Sequence, residues 1–125
     1  MAEVKFTDQH EWLLIDGDVA KVGITDYAQE QLGDVVFVEL PQPGTEFNQG
    51  DEAAVVESVK AAAEVYAPVT GEIVEANNGL EDDPAVINSD AQGEGWFFTI
   101  KMSDAGELET LMDEAGYKDF IAGLD

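Results

Sequence analysis

Strand signals dominate the first two thirds of the chain, in short apolar runs cut by turn residues, which confines the fold to a mostly β design. His10–Ile15 and Asp18–Ile24 flank Asp16-Gly17, a dipeptide suited to two-residue hairpin turns because Gly tolerates positive φ. Thr25–Gly33 reads as a short helix, with Asp26 as N-cap, Gln29 three residues on and Gly33 closing the C-terminus. Asp34–Leu40 is β-branched and apolar enough for a strand buried on both faces, ended by Pro41 and Pro43-Gly44. Trp96–Met102 reads as a last strand. The period then changes: Leu108, Leu111 and Met112 follow a capping pair Asp104/Glu107, and Tyr117, Phe120 and Ile121 follow Asp113. Two short amphipathic helices are expected there, packed on the sheet by those stripes.

A weak internal repeat runs from Gly44 to Asp90. Gly44–Gly50 reads like Gly71–Asn77, and Ala54–Ser58 like Ala85–Ser89, with extra residues around Gly79–Pro84 in the second copy. Two copies are too few for a solenoid and suit two interlocked β-units related by a pseudo-twofold axis. Val55–Pro68 joins them, with Val59-Lys60-Ala61-Ala62 as the candidate hairpin at its centre.

Charge narrows the function. The chain has 125 residues, 28 of them acidic against five Lys and no Arg, for a net −23. Nucleic acid and anionic membranes both need cationic contacts, so neither is expected as a partner. Apolar residues at 45 % supply a real core, which argues against disorder. The absence of Cys rules out disulfides, thiolate metal sites and a Cys nucleophile, and the single His10 leaves little for metal ligation or a His-based triad. No apolar run approaches the roughly 20 residues of a spanning helix. The N-terminal residues lack signal-peptide or transit-peptide character. A soluble cytoplasmic protein is the expectation.

Lys60 stands apart by context, among Ser58, Val59, Ala61, Ala62 and Ala63. An amine on a tight turn is held away from the body, where a modifying enzyme can reach it. The plainer reading is a turn Lys left for solubility.

The residues around Lys60 weigh against that plainer reading. Glu57-Ser-Val-Lys-Ala61, followed by Ala67-Pro68 and Gly71-Glu72, resembles the lipoyl-attachment hairpin of the glycine cleavage system H proteins. His10-Glu11-Trp12, Val22–Asp26, Ala28-Gln29, Leu32–Val38, Leu40-Pro41, Ile87-Asn88-Ser89, Gly95-Trp96 and Glu107-Leu108-Glu109 extend the resemblance from about Val4 to Phe120. It implies a barrel-sandwich hybrid of the lipoyl- and biotinyl-carrier kind with short flanking helices, including C-terminal ones. One domain would span 1–125, with its core at about 20–102 and a C-terminal helical segment at about 103–122.

The resemblance implies a carrier rather than a catalyst. Lipoic acid would be joined to Lys60 in amide linkage. The arm would accept an aminomethyl group from a pyridoxal-phosphate glycine decarboxylase (P protein) and present it to a tetrahydrofolate-dependent aminomethyltransferase (T protein). Dihydrolipoyl dehydrogenase (L protein) would reoxidise the arm, and a lipoate-attaching enzyme would install it. The hard chemistry then belongs to cofactors, and the protein supplies position and protection. In this family the loaded arm folds into a cleft that excludes water and suppresses loss of ammonia and formaldehyde. The matching positions are Gln9, His10, Glu11 and Glu64, where a carboxylate would bind a protonated amine by a charge-assisted hydrogen bond. Gln9 replaces a Ser found in some members, and Glu64 is one methylene longer than the Asp often found there.

Other readings stay open at this point. Glu11 fits equally a solvated strand residue, and His10 fits a loop-orienting role better than contact with the arm. Trp12, Phe37 and Trp96 read more simply as core. The same hairpin would serve a lipoyl-relay protein donating lipoate to other complexes. A biotin carrier is disfavoured because Val59 and Ala61 stand where Met usually flanks the Lys. No carboxylate pair, phosphate-cradling loop or nucleophile elbow marks an enzyme, and an unmodified interaction module is the last alternative.

Overall fold

The alternating segments form two antiparallel sheets in the computed structural model, which describes residues 3–123. In chain order the elements are β1 (Glu3–Phe6), β2 (Glu11–Asp16), β3 (Val19–Ile24), α1 (Asp26–Leu32), β4 (Val35–Glu39), β5 (Glu46–Phe47), β6 (Glu52–Ser58) and β7 (Ala62–Tyr66). Then come β8 (Gly71–Ala76), α2 (Gly79–Asp82), α3 (Val86–Ser89), β9 (Phe98–Met102), a 3₁₀ segment (Ala105–Thr110) and α4 (Glu114–Ala122). One sheet has the order β1-β2-β3-β9-β8-β5 and the other β4-β6-β7. The chain crosses between them after β3, β4, β5 and β7, so the two halves interlock. This is the mostly β architecture with short flanking helices that the residues imply.

Period-two patterning fills the space between the sheets. Leu13, Val22, Val38, Val56, Val65, Ile73, Phe97, Phe98 and Ile100 are all at most 1 % exposed and belong to one core cluster. A second cluster lies outside it, where Phe6, Trp12 and Tyr117 pack with Met112, Phe120 and Ile121. Trp12 fits because Gly23 stands directly opposite it on β3. A Cβ at 23 would lie 2.7 Å from Trp12 Nε1, a nitrogen that donates to Ala91 O at 2.9 Å. At nine residues α4 is too short to persist alone, so its apolar face must dock.

Several local expectations shift. The β2–β3 turn is Gly17-Asp18, with Asp16 paired to Val19 and Gly17 at φ +68°; Gly in the first central position matches the twist of the strands. Thr25, not Asp26, caps α1, its side chain accepting from Ala28 N. Strand β4 is not buried on both faces: a bulge between Val35 and Phe37 leaves Val36 54 % and Phe37 47 % exposed. The repeat is realised only in part. Glu46-Phe47 pairs antiparallel with Gly71-Glu72, but Ala54–Ser58 is strand whereas its counterpart Ala85–Ser89 lies in and beside α3. Asp104 caps a 3₁₀ segment rather than an α-helix, and Glu107 reaches Thr70 instead of closing a capping box. The last strand begins at Phe98, since Phe97 N bonds instead to Val22 O outside the strand ladder.

Candidate functional site

Glu57 pairs with Ala62 across the β6–β7 hairpin, so the turn is Ser58-Val59-Lys60-Ala61, one residue earlier than the pattern suggests. Ser58 organises it. Its N donates to Ala61 O at 2.7 Å, and its Oγ accepts from Lys60 N (3.3 Å) and Ala61 N (3.0 Å). Val59 N donates to Asp34 O at 3.0 Å, which pins the tip to the start of β4. Lys60 is exposed. Its stem passes over Gly33, where a Cβ would lie 3.3 Å from Lys60 Cε. Among the described residues the single ion pair is Lys5–Glu3, so the Lys60 amine is unpaired there.

The corner under the tip is fixed by a residue whose role the sequence does not announce. Asn88 Nδ2 donates to Gly33 O (2.8 Å) and Gln29 Oε1 (3.0 Å), while its Oδ1 accepts from Val35 N (2.8 Å). Gly33 at φ +80° and ψ −154° occupies backbone space open essentially to Gly alone.

At the far end of β7 lies a cleft of about 350 Å³, walled by Thr7, Asp8, Gln9, Glu11, Tyr66 and Pro68 among others. Glu11 is 2 % exposed, yet both its oxygens are satisfied. Thr7 Oγ1 donates to Oε1 at 2.8 Å and Tyr66 N to Oε2 at 3.1 Å. Burial pushes its pKa up to about 7, opposed by the hydrogen bonds from Thr7 and Tyr66 and reinforced slightly by Asp8. A cation arriving there would favour the ionised carboxylate, with the proton passing to solvent.

The four expected cleft residues separate. Gln9 and Glu11 line the cleft. Glu64 is exposed on β7 and stands outside the wall, in the outward row Ala62, Glu64, Tyr66 that leads from the hairpin to the cleft. That row covers roughly 13 Å at about 3.3 Å per residue. His10 faces the other way. Its Nδ1 lies 2.8 Å from Tyr117 Oη, and its ring packs on Tyr27 and Phe120. Burial lowers its pKa, with Asp8 opposing. Thr7 and Tyr66 carry no mark in the sequence, because neither residue type signals a site until the fold brings both to Glu11.

With this geometry in view, comparison with known proteins is specific. The family model described as Glycine cleavage H-protein matches residues 4–123. A glycine cleavage system H protein of Parvibaculum lavamentivorans is 59 % identical over 124 residues, covering 99 % of each chain. One from Bradyrhizobium diazoefficiens is 63 % identical over 118 residues, covering 94 % of this chain and 97 % of that one. The crystal structure of a glycine cleavage system H protein from Mycobacterium marinum superposes with a TM-score of 0.87 at 37 % identity, covering 96 % of this chain and 97 % of that one.

Proposed function

Because the chain belongs to the glycine cleavage H-protein family, the non-catalytic lipoyl carriers of the glycine cleavage system, we propose that Lys60 bears the lipoyl group and that the Glu11 cleft shelters its cargo. The observation that carries this reading is the pairing of an exposed amine on a tight turn, unpaired among the described residues, with a buried carboxylate in a cleft, joined by one strand face. A lysine stem lengthened by an eight-carbon acyl chain suits the span from hairpin to cleft.

When attached, lipoate supplies a redox-active disulfide whose sulfur holds the aminomethyl group of glycine between enzymes. The chain's own residues do the rest. Ser58 and Val59 fix the turn, so the amine is displayed to the attaching enzyme without unfolding. Glu11 accepts a hydrogen bond from the ammonium of the cargo, and that cation favours the charged carboxylate, reversing the effect of burial. Thr7 and Tyr66 hold the carboxylate's orientation. The walls limit water, whose attack would release ammonia and formaldehyde and leave the dithiol.

The system's partner enzymes must each meet this surface. We assign these roles to the pyridoxal-phosphate glycine decarboxylase, the tetrahydrofolate-dependent aminomethyltransferase, dihydrolipoyl dehydrogenase and a lipoate-attaching enzyme, with the cytoplasm as the compartment. A net charge of −23 steers encounter with basic patches while leaving affinity low enough for exchange. We read residues 1–125 as one carrier domain. Reconstitution with the three enzymes tests the assignment: Lys60→Arg should abolish glycine decarboxylation with the fold retained, and sustained turnover would refute it.

A further inference from the structure

The geometry points to Tyr117, on the C-terminal helix α4, as a positioning residue that seats the cleft carboxylate Glu11 by holding His10. Four residues, Thr7-Asp8-Gln9-His10, connect β1 to β2. His10 N donates to Thr7 O at 3.2 Å and Thr7 N to Glu11 O at 2.9 Å, the pattern of a tight turn followed by a left-handed residue. That left-handed position, which Gly or Asn fills without strain, is held by His10 at φ +68°. Among the described residues it is the one non-glycine with positive φ. Strain of this kind persists only where the surroundings enforce it.

The surroundings do so from one direction. Thr25 N donates to His10 O at 3.0 Å. Thr25 Oγ1 accepts from Ala28 N and shares a hydrogen bond of 2.7 Å with Tyr117 Oη, which shares another of 2.8 Å with His10 Nδ1. Tyr117 itself stacks on Phe6 at 4.7 Å and 10°. Phe6 and Met112 exchange main-chain hydrogen bonds of 2.7 and 2.8 Å, tying the approach to α4 to β1. One residue past His10 the chain turns inward, and Glu11 meets Tyr66 N on the other sheet. The hydroxyl on α4 and the carboxylate in the cleft are therefore two ends of one bonded series. That this seat protects cargo rests on the cleft reading above; that Tyr117 sets the seat does not.

Amide hydrogen exchange in the unmodified chain is the test, read at Tyr66, whose N–H is covered by Glu11. Tyr117→Phe keeps the ring stack and removes the hydroxyl. His10→Gly relieves the strain, so the chain folds, but removes the ring. Both should speed Tyr66 exchange at least tenfold. His10→Asn tolerates the left-handed position and places an amide atom where Nδ1 was, so exchange should stay within twofold of the parent. A role confined to packing α4 would leave Tyr66 unmoved in Tyr117→Phe and His10→Gly, and that result overturns the proposal, as does failure of His10→Asn to rescue. In the lipoylated protein, formaldehyde release from loaded carrier should follow the same order. If Glu11→Gln does not quicken that release, the cleft reading falls while the exchange data still decide the positioning role.

Discussion

The main-chain N–H of Tyr66 donates to Glu11 Oε2 across 3.1 Å, so the edge strand of the three-stranded sheet ends on a carboxyl from the second strand of the other. The interaction satisfies a strand edge and a buried acid at once, at the cost of desolvating that acid.

The cost is visible in pH dependence. Glu11 titrates near 4.5 when unfolded and near 7 when folded. Between those values the folded chain holds the extra proton, so this residue's effect is to lower stability as pH rises through the window, complete above about 7. Glu11→Gln removes that slope. In urea denaturation, stability of the variant relative to the parent should improve by on the order of 1–3 kcal/mol from pH 5 to pH 8. A difference that stays flat with pH would contradict the burial argument.

Gly33→Ala tests the platform beneath the hairpin. Its backbone occupies Gly-only space and its missing Cβ makes room for the Lys60 stem. A loss of about 1–3 kcal/mol is expected, with shifted amide resonances at Val59 and Lys60. An unchanged melting temperature would mean the α1–β4 corner relaxes freely.

Gly23→Ala tests the second core cluster. The added methyl meets the Trp12 ring at under 3 Å, from the residue directly opposite on β3. Overpacking of this kind costs about 1–3 kcal/mol, and Trp12 emission should shift to the red as the indole leaves its bond to Ala91 O. Parent-like stability and emission would show that the ring has another place to go.

Glu107→Ala tests the tie between the C-terminal segment and the loop after the hairpin. Both carboxylate oxygens are used, accepting from Thr70 N at 2.6 Å and Thr70 Oγ1 at 2.7 Å. Losing a charge-assisted pair should cost about 1.5–3 kcal/mol, with faster exchange of the Thr70 amide. Retained protection at Thr70 would contradict this.

Local chemistry made much of this legible. Turn residues between apolar runs gave the strands, and Lys60 among small residues marked the tip. What was lost depended on pairs distant in the chain. The β2–β3 turn slipped by one residue because register is set by Leu13 against Val22 and Ile15 against Ala20, not by the Asp-Gly dipeptide. Val36 and Phe37 look like core until the bulge turns both outward. The short strand β1 and the helices α2 and α3 carry too few periods to announce themselves. Glu11 could not be told from a solvated strand residue, since its burial depends on Tyr66, 55 positions away. Tyr117 read as one member of an apolar stripe, and its hydroxyl gained meaning only beside His10 and Thr25.

Intact-mass analysis with peptide mapping, on protein isolated from its native cell, decides whether Lys60 carries lipoate. One lipoyl increment per chain is expected, carried on the peptide containing Lys60 and lost in Lys60→Arg. A bare Lys60, or the same increment on Lys5, Lys21, Lys101 or Lys118, would contradict it.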